Sequence, residues 1–234
     1  MSKKFISTQT QKRLLKDISS IMKEPLNDQG IYYIHDEDDI LKGYAMIFGP
    51  RDTPYQHGVY FFNISFPSNY PYSPPVLTYL TNDGNTRFNP NLYISGKVCL
   101  SILNTWKGEQ WTSCQSIRSI LLTLVTVLNE NPLINEPGTS IKNPQVQIYN
   151  KIIKYKNLEI AILNVLQKKL LPKKHIPFYD IIKKYITDNK ESIIKIITEE
   201  IKDKTNGYLK CRMYNMTCTF NYKDLLEKLT PFLN

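Results

Sequence analysis

Cysteine is the side chain in this sequence best suited to covalent chemistry, and Cys99 stands apart from Cys114, Cys211 and Cys218. It falls within residues 81–110, a segment rich in Asn, Gly and Pro that carries neither helical nor strand periodicity. A long irregular segment inside a compact region is commonly functional. None of His35, His57 and His175 lies near Cys99 in sequence. A thiol on an exposed loop without a base suits the acceptance of an already activated thioester better than attack on an unactivated amide, which disfavours hydrolysis. The alternative is a small, inert apolar residue, the usual state of a lone cysteine. The cysteines and histidines form no CxxC pair and no HxxxH, which argues against a metal site or a disulfide framework.

The elements that must position this segment are legible on either side. Leu14, Leu15, Ile18, Ile21 and Met22 recur at three and four residues over 11–23, which predicts an amphipathic helix. Aromatic and β-branched runs at 31–34, 44–48, 59–66 and 76–80, joined by short Asp-, Gly- and Pro-rich connections, predict four strands in an antiparallel meander. Ile117, Ile120, Leu121, Leu124, Val125 and Leu128 predict a central buried helix over 115–128. Further helices are expected over 146–167, 179–187 and 192–202, a β-leaning stretch over 208–220, and a last helix opening at Asn221 or Tyr222.

Composition narrows the class. The 234 residues are enough for one large domain or one plus an appendage. The most apolar run, 120–128, falls well short of the ~20 residues that span a bilayer, and the residues after Lys3 and Lys4 turn polar where a leader would be apolar. A cytoplasmic or nuclear protein is expected. Residues 1–140 hold 12 bases and 12 acids, so the whole net charge of +9 lies in 141–234, with 18 bases and 9 acids. Such asymmetry fits nucleic acid, an acidic partner, or simply lysine-rich solvated helices.

Two motifs bracket the irregular segment: Phe66-Pro67-Ser68-Asn69-Tyr70-Pro71-Tyr72-Ser73-Pro74-Pro75, and Asn89-Pro90-Asn91 with Cys99 eight residues past Asn91. Together with Pro54-Tyr55-Gln56-His57-Gly58 they resemble the ubiquitin-conjugating enzyme family, and Asn135-Glu136-Pro137-Gly138 and Phe220-Asn221-Tyr222 extend the likeness to its Z-type subgroup. The resemblance implies an α+β fold, a four-stranded antiparallel sheet flanked by helices, with a conjugating core over 1–170 and a mainly helical, basic extension over 171–234 packed on or beside it. It also implies an acyltransferase. Ubiquitin or a ubiquitin-like modifier would pass from an activating enzyme to Cys99 as a thioester, and then to a substrate lysine or a ligase cysteine. ATP is used by the activating enzyme, so no cofactor is expected here.

The same resemblance distributes roles. Asn91 is a candidate oxyanion donor or a turn residue holding the loop, and the two are compatible. Asn89 stands where the family has histidine, which implies altered loop bonding rather than lost activity. Glu136 matches the acidic rim residue that receives an attacking lysine, with Glu130 as the alternative and a plain helix-end residue as the other reading. Lys12, Arg13 and Lys16 resemble a face for the activating enzyme; Tyr72, Trp111, Ser113 and Cys114 resemble a face for ligases. A noncatalytic binding module of the same fold, or a nucleic-acid-binding protein using Tyr149, Lys151, Lys154 and Tyr155, are the competing readings.

Overall fold

A computed structural model describes residues 6–203, 205 and 207–233; the leader expectation rests on residues that lie mainly outside the described residues. Helix α1, Thr8–Lys23, forms on the expected spacing, buries Leu14 and Ile21, and is capped by Ser7, whose hydroxyl accepts from the Thr10 N–H at 3.1 Å. Four strands follow, β1 Ile31–His35, β2 Lys42–Phe48, β3 Val59–Ser65 and β4 Val76–Tyr79, paired antiparallel in the order β1-β2-β3-β4. Helix α2, Ile117–Val127, opens on a capping box in which Ser116 and Ser119 satisfy each other's backbone N–H groups, and buries Ile117, Ile120, Leu121 and Leu124. No helix among the described residues is long and apolar enough to cross a membrane.

The helix expected over 146–167 is present with an interruption. It runs as α3, Gln145–Lys156, then a π-helical stretch, Asn157–Leu163, then a last turn, α4, Asn164–Leu166. Asn157 opens the wide stretch and is buried there. Its side chain accepts from the Tyr60 hydroxyl at 2.6 Å and donates to the Gln56 carbonyl at 2.8 Å, tying the helix to the sheet and to the loop before β3.

Beyond it come α5 Tyr179–Asp188, α6 Lys190–Lys202, an antiparallel hairpin of β5 Gly207–Cys211 and β6 Met216–Phe220, and α7 Tyr222–Leu233. Strand register puts Tyr44, Phe48 and Phe61 on one face of the sheet. The later segment covers that face: Phe48 stacks on Tyr185 with centroids 3.8 Å apart, while His175 meets the rings of Tyr44 and Phe61. A stacked pair of this kind adds about 0.5–1.5 kcal/mol beyond its area burial. One apolar cluster runs from Leu14 through Leu233 without a break between the two regions.

Charge on this segment is partly answered locally. Lys183 and Lys184 pair with Asp180 and Asp188 at 2.8 and 3.1 Å, and Lys174 with the buried Asp36 at 2.9 Å.

Two histidines lie in the seam. His57, at φ 65°, sits 2.8 Å from the Ser192 hydroxyl and 3.2 Å from that of Tyr185; His175 Nε2 lies 3.2 Å from the Phe62 carbonyl and its Nδ1 has no partner. Burial holds both imidazoles down to about 4, helped at His57 by Arg51. Unfolded imidazoles take up protons near pH ~6.5 and the folded ones only near 4, so stability is full above pH ~6.5 and is lost as pH falls through this window. At ~1.4 kcal/mol per pH unit, each site removes about 2 kcal/mol at pH 5. The urea midpoint is therefore expected to drop clearly between pH 7.5 and pH 5, and His175→Gln to shrink that drop; equal midpoints at both pH values would refute the linkage. Asp36, held well below the usual carboxylate range by Tyr44 and Lys174, titrates beneath this window.

Candidate active site

The irregular segment owes its shape to side-chain amides and hydroxyls rather than to strand or helix ladders. Cys99 and Asn91 are bonded reciprocally: the Cys99 N–H donates to the Asn91 carbonyl at 2.9 Å, and Asn91 Nδ2 donates to the Cys99 carbonyl at 2.7 Å. On the far side of the cysteine, the Leu100 N–H donates to Thr105 Oγ1 at 2.9 Å, and that hydroxyl lies 3.1 Å from the carbonyls of both Val98 and Leu100. The backbone around the thiol is thus clamped from both directions.

Asn89 anchors the next layer. It is fully buried, its Oδ1 accepts from the Asn91 N–H at 2.9 Å, and its Nδ2 donates to the Tyr55 hydroxyl at 2.9 Å and to the Val127 carbonyl at 2.7 Å. A short amide in this place joins the loop to the end of α2. Asn135 Nδ2 donates to the same Val127 carbonyl at 3.0 Å, while its Oδ1 accepts from Asn129 at 2.9 Å. A chain of amides therefore runs from Cys99 through Asn91, Asn89 and Asn135 to the residue next along, Glu136.

Glu136 and Glu130 part company here. Glu136 is half-buried, and its neighbour Pro137 lines a groove with Asn104, Thr105, Trp106, Lys107 and Gln110, the segment just past Cys99. Glu130 lines a different cleft, shared with Thr53, Lys154 and Ile196 on α6. The two share no lining residue.

Three expectations meet corrections. Cys99 is not on an exposed loop: only 2% of it is accessible, because the clamps just described fold the loop inward. Arg13 turns into the protein, bonding Asp17 at 3.0 Å and the carbonyls of Ser113 and Gln115, so it fastens α1 to the start of α2. Trp111 is buried, with its indole N–H donating to the Pro71 carbonyl at 2.6 Å, and braces the proline loop from beneath. Lys12, Lys16, Ser113 and Cys114 are exposed, as is Tyr72, whose hydroxyl accepts from Gln9 at 2.7 Å. Among the other thiols, Cys211 and Cys218 are buried, and burial pushes Cys218 up to about 11, away from the thiolate a nucleophile needs. Tyr149 and Tyr155 are buried at 0% and 5% accessibility, so neither ring offers a face to a nucleic-acid base.

Sequence reasoning missed Asn135 and Tyr214. Asn135 carried a signal, since asparagines at 129, 131 and 135 in a turn-rich stretch are side chains suited to bonding backbone. Tyr214, whose hydroxyl donates to Glu136 Oε2 at 2.5 Å, lies 78 residues downstream and carried none.

A meander of four strands, the α2 helix and a clamped cysteine loop define a member of the ubiquitin-conjugating enzyme family, and the family model matches residues 10–157. The chain belongs to that family. It is 40% identical over 166 residues to ubiquitin-conjugating enzyme E2 Z of Xenopus tropicalis, covering 70% of this chain and 52% of that protein. Against the E2 Z protein of Danio rerio it is 42% identical over 161 residues, 68% of this chain and 48% of that protein. A dual E2 ubiquitin-conjugating enzyme/E3 ubiquitin-protein ligase, BIRC6 of Homo sapiens, is 46% identical over 125 residues, 49% of this chain and 2% of that protein. The chain spans about half the length of the E2 Z relatives it matches.

Proposed function

We propose that the chain accepts ubiquitin, or a ubiquitin-like modifier, from an activating enzyme as a thioester on Cys99 and passes it to a lysine amine or a ligase cysteine. The observation that carries this reading is the reciprocal Cys99–Asn91 pairing, which sets an amide donor on the carbonyl of the cysteine itself, in a loop fixed by its own hydrogen bonds. In the first step the Cys99 thiol gives up its proton, its sulfur bonds the activated carbonyl carbon, and the activating enzyme's thiolate leaves and takes up a proton in exchange. In the second, an acceptor nitrogen bonds that carbon, Cys99 thiolate leaves, and the Glu136 carboxylate receives the acceptor's proton. No base is required on Cys99 itself, because the incoming acyl group is already activated and its leaving group is a thiolate.

Exposed Lys12 and Lys16 on α1 are the surface proposed for the activating enzyme, and Tyr72 with Ser113 and Cys114 the surface for a ligase. ATP is consumed by the activating enzyme, and the expected setting is the cytoplasm or nucleus. Incubation with ubiquitin, ATP and a panel of activating enzymes, followed by a nonreducing gel, is expected to reveal a thiol-sensitive adduct; its absence with every activating enzyme would count against the reading.

A further inference from the structure

We propose that Tyr214, at the tip of the β5–β6 hairpin, is a positioning residue that holds the Glu136 carboxylate in place for the acceptor lysine. The inference rests on the reading of Glu136 given above and extends it to a residue outside the span of the family match. The Tyr214 hydroxyl donates to Glu136 Oε2 at 2.5 Å, a short bond of the kind made to a charged oxygen. It engages one carboxylate oxygen and leaves Oε1 for a substrate.

The hairpin tip is itself well fixed. The Arg212 N–H donates to Gln145 Oε1 at 2.7 Å at the start of α3, and the Tyr214 ring meets Tyr149 edge-on at 6.0 Å. Its other neighbour is Arg87, whose guanidinium lies 5.2 Å from the Tyr214 ring, stacks 3.4 Å over Tyr93, and donates to the Asn89 and Pro90 carbonyls at 3.0 and 2.7 Å. Met216 continues the contact, its sulfur accepting the Arg87 N–H at 3.1 Å. The hairpin therefore touches both strands of the site: the loop that carries Asn91 and the rim that carries Glu136. Burial, and next the Glu136 bond, raise the Tyr214 hydroxyl above its ordinary value, so it stays a donor at any pH of interest. A free glutamate has several rotamers of similar energy; one fixed bond selects among them before substrate arrives.

Tyr214→Phe removes the donor and keeps the ring in its packing. The measurement is single-turnover discharge of the Cys99 thioester to free lysine over a range of lysine concentrations, with Cys99 charging measured in parallel. Charging is expected to be unchanged and the maximal discharge rate to fall about tenfold, the scale of one hydrogen bond to a charged group. In a Glu136→Ala background, Tyr214→Phe is expected to add nothing, because its partner is gone. Wild-type discharge by Tyr214→Phe alongside a slowed Glu136→Ala would overturn the proposal. So would an equal further loss in the Glu136→Ala background, which would mark Tyr214 as support for the hairpin alone. Wild-type discharge by Glu136→Ala would instead remove Glu136 from the lysine step and take this inference with it, while failure to charge Cys99 would strike the conjugation reading one step earlier.

Discussion

Cys99→Ala is expected to form no adduct with the activated modifier, and Cys99→Ser to form an oxyester that survives reducing agent and turns over more slowly. The acyl group needs a nucleophilic sulfur or oxygen at this position, and the surrounding backbone bonds, from Asn91 on one side and Thr105 on the other, do not involve the side chain. Either substitution therefore leaves the loop's own hydrogen bonds in place. The other thiols offer no replacement: burial pushes those of Cys211 and Cys218 above the ordinary value, away from the thiolate a nucleophile needs, and Cys114 belongs to the exposed loop before α2. An undiminished thioester in Cys99→Ala, or an adduct that maps to Cys114, would sink the assignment.

Asn91→Ala is expected to charge nearly as well as the parent but to discharge to lysine about 10²–10³ times more slowly, the usual loss on removing one oxyanion donor. One N–H of its amide already holds the Cys99 carbonyl at 2.7 Å, and the second belongs to the same buried nitrogen. That nitrogen is fixed before reaction begins, so stabilising a developing oxyanion requires little reorganisation. The two steps separate the possibilities because thioester exchange replaces one thiolate by another and makes smaller demands on the oxyanion than attack by an amine. Equal losses in charging and discharge would reduce Asn91 to a brace for the loop. A melting curve run beside the kinetics controls for that brace, since the truncated side chain also gives up its bond across the cysteine.

The reach of sequence reasoning follows the range of the interactions. Helix α1, the strands and α2 announce themselves through periodicity, a local signal set by one buried face, and the strand order follows from short connections. Cys99 and Asn91 were legible as a pair because their spacing lies within a single segment. The inward turn of Arg13 was not, since it depends on carbonyls of Ser113 and Gln115 about a hundred residues away. Trp111 failed for the same reason: a large aromatic in a polar loop reads as a contact surface until the Pro71 carbonyl is found above its indole. The π-helical stretch at Asn157–Leu163 carries a helix-compatible sequence, and only the pull of Gln56 and Tyr60 on Asn157 marks where the winding widens.

The sheet face carrying Tyr44, Phe48 and Phe61 is covered by a later segment of the same chain. Its cover is tethered to it, and a tethered segment presents itself at an effective concentration on the order of millimolar. A diffusing competitor at micromolar concentration would need roughly a thousandfold greater intrinsic affinity to hold that face half the time. The face is thereby withdrawn from exchange with other proteins, and the partner surfaces proposed above, on the outer side of α1 and at Tyr72, lie on exposed residues apart from it.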